Sequence, residues 1–204
     1  TSISEVVGIK DDKVKLNEYM DGLHTGNLIT IGARPSIGKS AFTDQLNINL
    51  ATRGIKTCMF SLEMSNVQLM NRVISNVCEI DSKKIKSGQL EPYEWQQLDS
   101  RMNKMINAPL YLDDTPSLSV FELRTKARRL YREHGIKMII IDYLQLMNAS
   151  GMGFGSRQEE VSTISRSLKG LAKELNIPII ALSQLNRDTE KREGLEGKKP
   201  QLSD

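Results

Sequence analysis

Apolar positions run along this chain in two rhythms. Short continuous runs, rich in β-branched residues, read as five strands: Leu28-Ile29-Thr30-Ile31, Thr57-Cys58-Met59-Phe60-Ser61, Pro109-Leu110-Tyr111-Leu112, Lys137 to Ile141, and Ile177 to Leu182. Runs without polar alternation suit strands covered on both faces. Between them, apolar residues step by three and four, the spacing of one helical face. Residues 39–53 place Ala41, Phe42, Leu46, Leu50 and Ala51 on such a face, and Gly54 offers a stop. Residues 65–107 carry helical patterns broken near Asp81 and Gly88. Ser119 followed by Glu122 is a capping-box signature, opening a helix that runs to about His134 and stops at Gly135. Ser156 and Glu159 repeat the signature, and Val161, Ile164, Leu168, Leu171 and Leu175 continue it as an amphipathic helix. Asn148 to Ser156 holds three glycines and reads as a loop.

Strands alternating with helices predict an α/β fold: a mainly parallel, twisted sheet with helices on both faces and right-handed crossovers. Residues 1–27 are polar and weakly patterned, a lead-in segment, and residues 28–204 read as one domain. Pro200-Gln201-Leu202-Ser203-Asp204 looks like a loop delivering a helix N-cap, so the domain is expected to be truncated at its C-terminus.

Composition narrows the classes without choosing among them. The 204 residues can bury a real core, and 39% hydrophobic with 26% charged residues is an ordinary globular balance. A net charge of +3 tolerates a polyanionic partner but does not demand one. Arg124 to Arg132 and Arg187 to Lys199 concentrate the basic side chains; the first reads as the wet face of its helix, shared with Glu122 and Glu133. Cys58 and Cys78 are too few for a disulfide framework or a cysteine-built zinc site, and read as small buried hydrophobes. The apolar runs are too short for a bilayer and no leader pattern opens the chain, so a cytoplasmic protein without membrane attachment is expected.

The chemistry begins at Gly32-Ala33-Arg34-Pro35-Ser36-Ile37-Gly38-Lys39-Ser40, which follows a strand and opens a helix. That context is what a phosphate loop needs. Backbone N–H groups of residues 36–40 can wrap a β-phosphate at the positive helix end. Lys39 would reach the β- and γ-phosphates, and the Ser40 hydroxyl would bind Mg²⁺. Residues Ala33 to Ala41 are thus the candidate nucleotide-binding set. Ala33 departs from the usual glycine at that position.

Phosphoryl transfer further needs a metal holder, a water activator and a charge sensor, at the carboxyl ends of neighbouring strands. Asp142, after Met138 to Ile141, fits a Mg²⁺ aspartate or a strand-end turn residue. Glu63 ends the second strand and fits a base that polarises water, or a capping group near Ser65. Gln184 follows the fifth strand and fits a γ-phosphate sensor or a loop amide. Asp113 and Asp114 invite a metal reading, but turn and cap duty before Pro116 is the better one.

Together, Gly32 to Ser40, Phe60 to Ser65, Ile139 to Met147, Arg157 to Leu171, Ala181 to Arg187 and Pro200 to Asp204 resemble the C-terminal motor domain of DnaB-type replicative helicases. Ala33 looks like that family's own variant. The resemblance implies a RecA-like P-loop NTPase core that hydrolyses ATP with Mg²⁺. It implies a homohexameric ring moving 5′ to 3′ along single-stranded DNA, with primase and a helicase loader as partners. It gives Lys39 and Ser40 the phosphate-loop roles, Glu63 the catalytic base, Asp142 the Mg²⁺ role and Gln184 the sensor role. The family's arginine finger and main DNA-gripping loop lie past Asp204, so this stretch alone is expected to hydrolyse ATP slowly. Loops Asn148 to Arg157 and Arg187 to Lys199, with Arg157 and Arg187, are candidate DNA contacts, and read equally well as solvated connectors. The rival readings are a RecA- or RadA-type recombinase and a nucleotide-gated loader or scaffold that does not unwind DNA; Glu63 speaks against the latter. A small-molecule kinase is the weaker reading, because the sequence shows no clear substrate-pocket signature and no Arg-rich lid.

Overall fold

A computed structural model of the protein describes residues 22–103, 105–149 and 156–185. Its strands are β1 (Leu28–Ala33), β2 (Thr57–Ser61), β3 (Leu110–Asp113), β4 (Met138–Asp142) and β5 (Ile179–Gln184). They form one sheet in the order β1-β5-β4-β2-β3, and every neighbouring pair is parallel. The helices are α1 (Lys39–Thr52), α2 (Asn66–Cys78), α3 (Ser82–Ser87), α4 (Pro92–Met102), α5 (Val120–His134) and α6 (Arg157–Leu175), with a 3₁₀ turn at Leu144–Leu146. The breaks expected at Asp81 and Gly88 divide the 65–107 region into α2, α3 and α4.

Side chains alternate across a pleated strand, so each strand feeds two cores. Cys58 and Phe60 of β2, Ile139 and Ile141 of β4, and Ile179 and Ala181 of β5 join Leu123 and Ala127 of α5 and Ile164, Leu168 and Leu171 of α6. Met59, Ile140 and Ile180 point the other way and meet Leu46 and Leu50 of α1 and Leu69 of α2. Every residue of β2 and β4 is buried, which is why their sequences show no polar alternation. Leu23 packs in the second core, and the Lys169 ammonium donates to the Gly26 carbonyl and to Asn27 Oδ1 at 2.9 Å each. The chain just ahead of β1 is therefore tied to α6.

Helix ends follow local chemistry. Ser65 with Gln68 and Ser119 with Glu122 form reciprocal capping boxes. α5 stops at Gly135, whose φ of 66° is the left-handed turn that glycine adopts without strain. At Ser156 the cap is half of the expected box: its hydroxyl accepts from Glu159 N, while Glu160 turns back to accept from Ala149 N at 3.0 Å. The fifth strand is displaced from the expected Ile177–Leu182. Asn176, at φ 51°, and Ile177, which donates to the Ala172 carbonyl at 3.2 Å, are spent closing α6, so β5 starts at Ile179 and runs on to Gln184.

The inner face of α1 also differs from its apolar pattern. Ala41 is exposed and Phe42 half-buried, while Thr43, Asp44 and Asn47 are buried. Each buried polar group has a partner: Thr43 bonds the Ser40 carbonyl, Asn47 accepts from Thr57, and Asp44 meets Arg72. Among the described residues no helix is long and apolar enough to cross a membrane. Most of the 1–27 lead-in, the 150–155 stretch, Arg187 and the 200–204 segment lie outside the described residues.

Ile140, fully buried in the central strand, should cost about 2–5 kcal/mol of stability when cut to Ala, against less than about 0.5 kcal/mol for Ile106→Ala at an exposed site. Equilibrium denaturant unfolding of the two variants measures the difference.

Candidate functional site

β1 carries Gly32 and Ala33 within its ladder, paired with Ser183 and Gln184 of β5. Ala33 keeps an extended backbone, so a β-carbon is tolerated where the usual motif has glycine; the left-handed conformations fall later, at Ser36 (φ 64°) and Gly38 (φ 90°). Gly38 is the N-cap of α1, and its carbonyl accepts the first helical bond from Phe42 N at 3.0 Å. No acidic residue occupies the first turn of α1, which leaves its N–H groups and positive end for an anion.

The turn opens into a cleft of about 900 Å³ lined by Arg34, Pro35, Ser36, Gly38, Lys39, Ser40 and Ala41, with Glu63, Tyr143 and Gln184 also on its walls. Of the expected set, Ala33 lies back in the strand and the Ile37 side chain is 67% exposed, so these two can contribute only main chain. The Lys39 ammonium lies 4.7 Å from the Tyr143 ring centroid, a cation–π resting place beside the phosphate loop.

Glu63 reaches the cleft from the turn after β2. Leu62 N donates to the Asp142 carbonyl at 2.8 Å, and Ser61 and Met64 close the turn through the serine hydroxyl. The α2 cap belongs to Ser65 and Gln68, so Glu63 is not the capping group. It is exposed and lines the cleft.

Asp142 is the last residue of β4 and is 1% exposed. Its Oδ1 is buried without a hydrogen-bond partner, an arrangement that is costly unless a cation or donor arrives. Asp44 lies near enough that Asp142, together with burial as the main cause, raises the Asp44 carboxyl above its ordinary range, while Arg72 at 3.3 Å opposes the rise. Among the described residues no three His, Cys, Asp or Glu side chains cluster tightly enough to hold a metal. One orphaned carboxylate oxygen, on the residue before the cleft-lining Tyr143, instead suits Mg²⁺ delivered with a nucleotide, which retains waters and phosphate ligands.

Other strand-end groups are committed to the scaffold. Asp114 accepts from Asn66 N and Asn66 Nδ2 at 2.8 and 2.9 Å, pinning the start of α2. Asp113 bonds Lys126 and Thr115, and those contacts hold its carboxyl below the ordinary range against burial, the largest single influence. The turn reading of this pair therefore holds. The basic helix α5 has the expected wet face, with Glu122, Arg129, Arg132 and Glu133 exposed, while Arg124 and Arg128 reach across to Glu174 of α6. Burial, the chief cause, pushes the Cys58 thiol up to about 12, far from thiolate chemistry. The Arg157 guanidinium donates to the Gln145 and Met147 carbonyls and pairs with Glu160.

A phosphate loop, a strand-end carboxylate and an amide thus meet on one rim of a parallel sheet. The DnaB-like helicase C-terminal domain family model matches residues 8–204. The chain belongs to this family. It is 44% identical over 201 residues to the replicative DNA helicase DnaB of Geobacillus stearothermophilus, covering 98% of this chain and 44% of that protein. The replicative DNA helicase DnaC of Bacillus subtilis is 41% identical over 98% of this chain and 44% of its own length. The chain thus spans less than half the length of these curated relatives. Among solved structures, a DnaB-like replicative helicase described with its interactions with primase superposes with a TM-score of 0.81 at 34% identity, over 90% of this chain and 44% of that one. The architecture of this DnaB-like domain is accordingly RecA-like.

Four lining or supporting residues of this DnaB-like domain carry no signal in sequence spacing: Asp44, Arg72, Tyr143 and Gln145. Asp44 sits one turn beyond Ser40 on α1, on a buried face that also holds Thr43 and Asn47, so no single polar break in an apolar stripe marks it. Arg72 and Tyr143 reach the cleft only through the packing of α2 and the turn after β4.

Gly38→Ala forces a left-handed alanine, about 1–2 kcal/mol of strain at the loop's pivot, and should weaken nucleotide binding at least tenfold. Ala33→Gly should leave binding within about twofold, since nothing at that extended position requires either residue. Titration with a fluorescent ATP analogue reads both.

Proposed function

We propose that this chain is the ATP-hydrolysing motor domain of a replicative DNA helicase, coupling Mg-ATP hydrolysis to 5′-to-3′ movement along single-stranded DNA and duplex unwinding. The observation that carries the reading is the convergence of Lys39, Glu63 and Gln184 on one cleft, with the buried Asp142 carboxylate beside its Tyr143 wall. Family membership supports it, and so do the relatives, which are replicative helicases.

In this reading the N–H groups of the Ser36–Ser40 turn and the N-terminus of α1 bind the β-phosphate. Lys39 leaves the Tyr143 ring for the β- and γ-phosphate oxygens. Ser40 and Asp142 would hold Mg²⁺, which when bound neutralises charge on the β- and γ-phosphates. Glu63 accepts a proton from the attacking water as a new oxygen–phosphorus bond forms at the γ-phosphate and the bond to the β-bridging oxygen breaks, leaving ADP and phosphate. Gln184, whose backbone is paired with the base of the phosphate loop, registers the γ-phosphate or its loss. Exposure of Glu63 suits a cleft closed by a neighbouring identical subunit, as in a homohexameric ring. Single-stranded DNA, a primase and a helicase loader are the partners this reading assigns, and the cytoplasm is its place of work.

In the intact protein Lys39→Ala should abolish nucleotide binding or turnover. Glu63→Gln should bind ATP within about threefold of wild type and lose at least about a hundredfold in kcat, the scale of a general base. Steady-state hydrolysis assays with analogue binding decide; normal turnover by Glu63→Gln moves the base elsewhere. Electron microscopy with an ATP analogue and single-stranded DNA should show closed rings, whereas filaments would favour a recombinase.

A further inference from the structure

The β4–β5 ladder ends early. Its last pair is Ile141 with Ala181, after which β4 passes through Asp142 into the 3₁₀ turn Leu144–Leu146. β5 continues to Gln184, paired on its other side with Gly32 and Ala33 of β1. Past Ala181, then, the β4 side of β5 has no strand to meet.

The side chain of Gln145 occupies that place. Its Nε2 donates to Ser183 Oγ at 2.8 Å and to the Gln184 carbonyl at 3.1 Å, and its Oε1 accepts from Gln184 N at 3.2 Å. One primary amide thus satisfies both main-chain groups of Gln184, as a neighbouring strand residue would. Gln184 is held between this amide and Ala33, at the base of the phosphate loop, and Leu185 N adds a bond to the Ala33 carbonyl at 3.1 Å.

Gln145 is itself anchored. Arg157, at the start of α6, donates through Nη2 to the Gln145 carbonyl at 2.6 Å and the Met147 carbonyl at 3.0 Å. Its Nη1 pairs with Glu160, which accepts from Ala149 N. The bonds form one connected path: Ala33, Gln184, Gln145, Arg157, Glu160, Ala149. A guanidinium bonded to two carbonyls and a carboxylate has three of its five N–H donors committed to the protein's own acceptors.

We propose that Gln145 is a positioning residue that holds the carboxyl end of β5 so that Gln184 faces the nucleotide cleft, and that Arg157 is the clamp that fixes Gln145. The inference rests on the reading of Gln184 as the γ-phosphate sensor. It assigns Arg157 to the scaffold of the site rather than to nucleic-acid phosphates. A lysine there would keep the point charge that a DNA phosphate needs and lose the fork that reaches the two carbonyls through Nη2 and Glu160 through Nη1.

The test uses the intact protein and four variants: Gln145→Met, which keeps volume and removes all three side-chain hydrogen bonds, Gln184→Ala, the double variant, and Arg157→Lys. The readouts are kcat at saturating Mg-ATP, Kd for a fluorescent ATP analogue, and affinity for oligo(dT). Gln145→Met should lower kcat about tenfold with Kd within about threefold, and the double variant should be no slower than the slower single variant within about twofold, because both changes remove one action. Arg157→Lys should reproduce the kcat loss with oligo(dT) affinity within about threefold. Losses that multiply in the double variant, or a wild-type kcat in Gln145→Met, overturn the inference. Arg157→Lys with wild-type kcat and weakened oligo(dT) binding overturns the clamp and restores a DNA contact. If Gln184→Ala alone turns over normally, the sensor reading falls and this inference with it, a result distinct from multiplying losses. Should Gln145→Met fail to fold, Ser183→Ala, which removes one acceptor of the same amide, should show a kcat loss of about threefold, and no loss there overturns the proposal.

Discussion

Parallel strand pairing is the constraint from which the site follows. When every strand of a sheet runs the same way, all the carboxyl ends gather on one rim, and the connections leaving that rim must stand side by side. Here β1 delivers the phosphate turn, β2 the Glu63 turn, β4 Asp142 and β5 Gln184. The ladder that places them is itself held by two apolar layers, one against α5 and α6 and one against α1 and α2. Since β2 and β4 are buried on both faces, neither can slip in register without carrying apolar side chains to the wrong layer.

Charge at this rim is only partly balanced within the protein. Asp142 and Asp44 are 1% and 6% exposed, and burying carboxylates is unfavourable unless opposite charge compensates. Arg72 answers Asp44, and the N-terminus of α1 lies close by with no acid in its first turn. Asp142 keeps one oxygen unanswered, and the Lys39 ammonium rests on the Tyr143 ring rather than on a carboxylate. A site so composed gains most when anionic phosphates and a divalent cation enter together.

Hydrogen bonds from side chains repair the sheet where its ladder gives out. Gln145 stands in for a strand beside Gln184, whereas on the β2 side the main chain itself continues, Leu62 N donating to the Asp142 carbonyl to join the Glu63 turn to β4. Unmet backbone groups at a sheet's rim would otherwise need water. Meeting them with side chains fixes the spacing among the strand-end residues to hydrogen-bond precision.

Much of this was legible in the sequence. The two rhythms of apolar residues give five strands and the helices between them, the capping residues Ser119 and Ser156 sit at the starts of their helices, and the glycine-rich loop follows its strand as its motif requires. These features depend on interactions within a few residues, which a linear pattern records. Three outcomes belonged to the tertiary structure. Asp113 and Asp142 are both strand-end carboxylates, but β3 lies at the sheet's edge, where Lys126 and Thr115 reach Asp113, while β4 lies between β5 and β2 with Asp142 closed off from such partners. Ala33 is acceptable in the phosphate loop because its pairing with Gln184 keeps it extended. Arg157 was a candidate by composition alone, and only the fold decides what its guanidinium touches within the protein: two carbonyls and Glu160. The elements come from neighbours along the chain, whereas the partners of a charged side chain come from strand order, which joins residues tens of positions apart and leaves no period in the sequence.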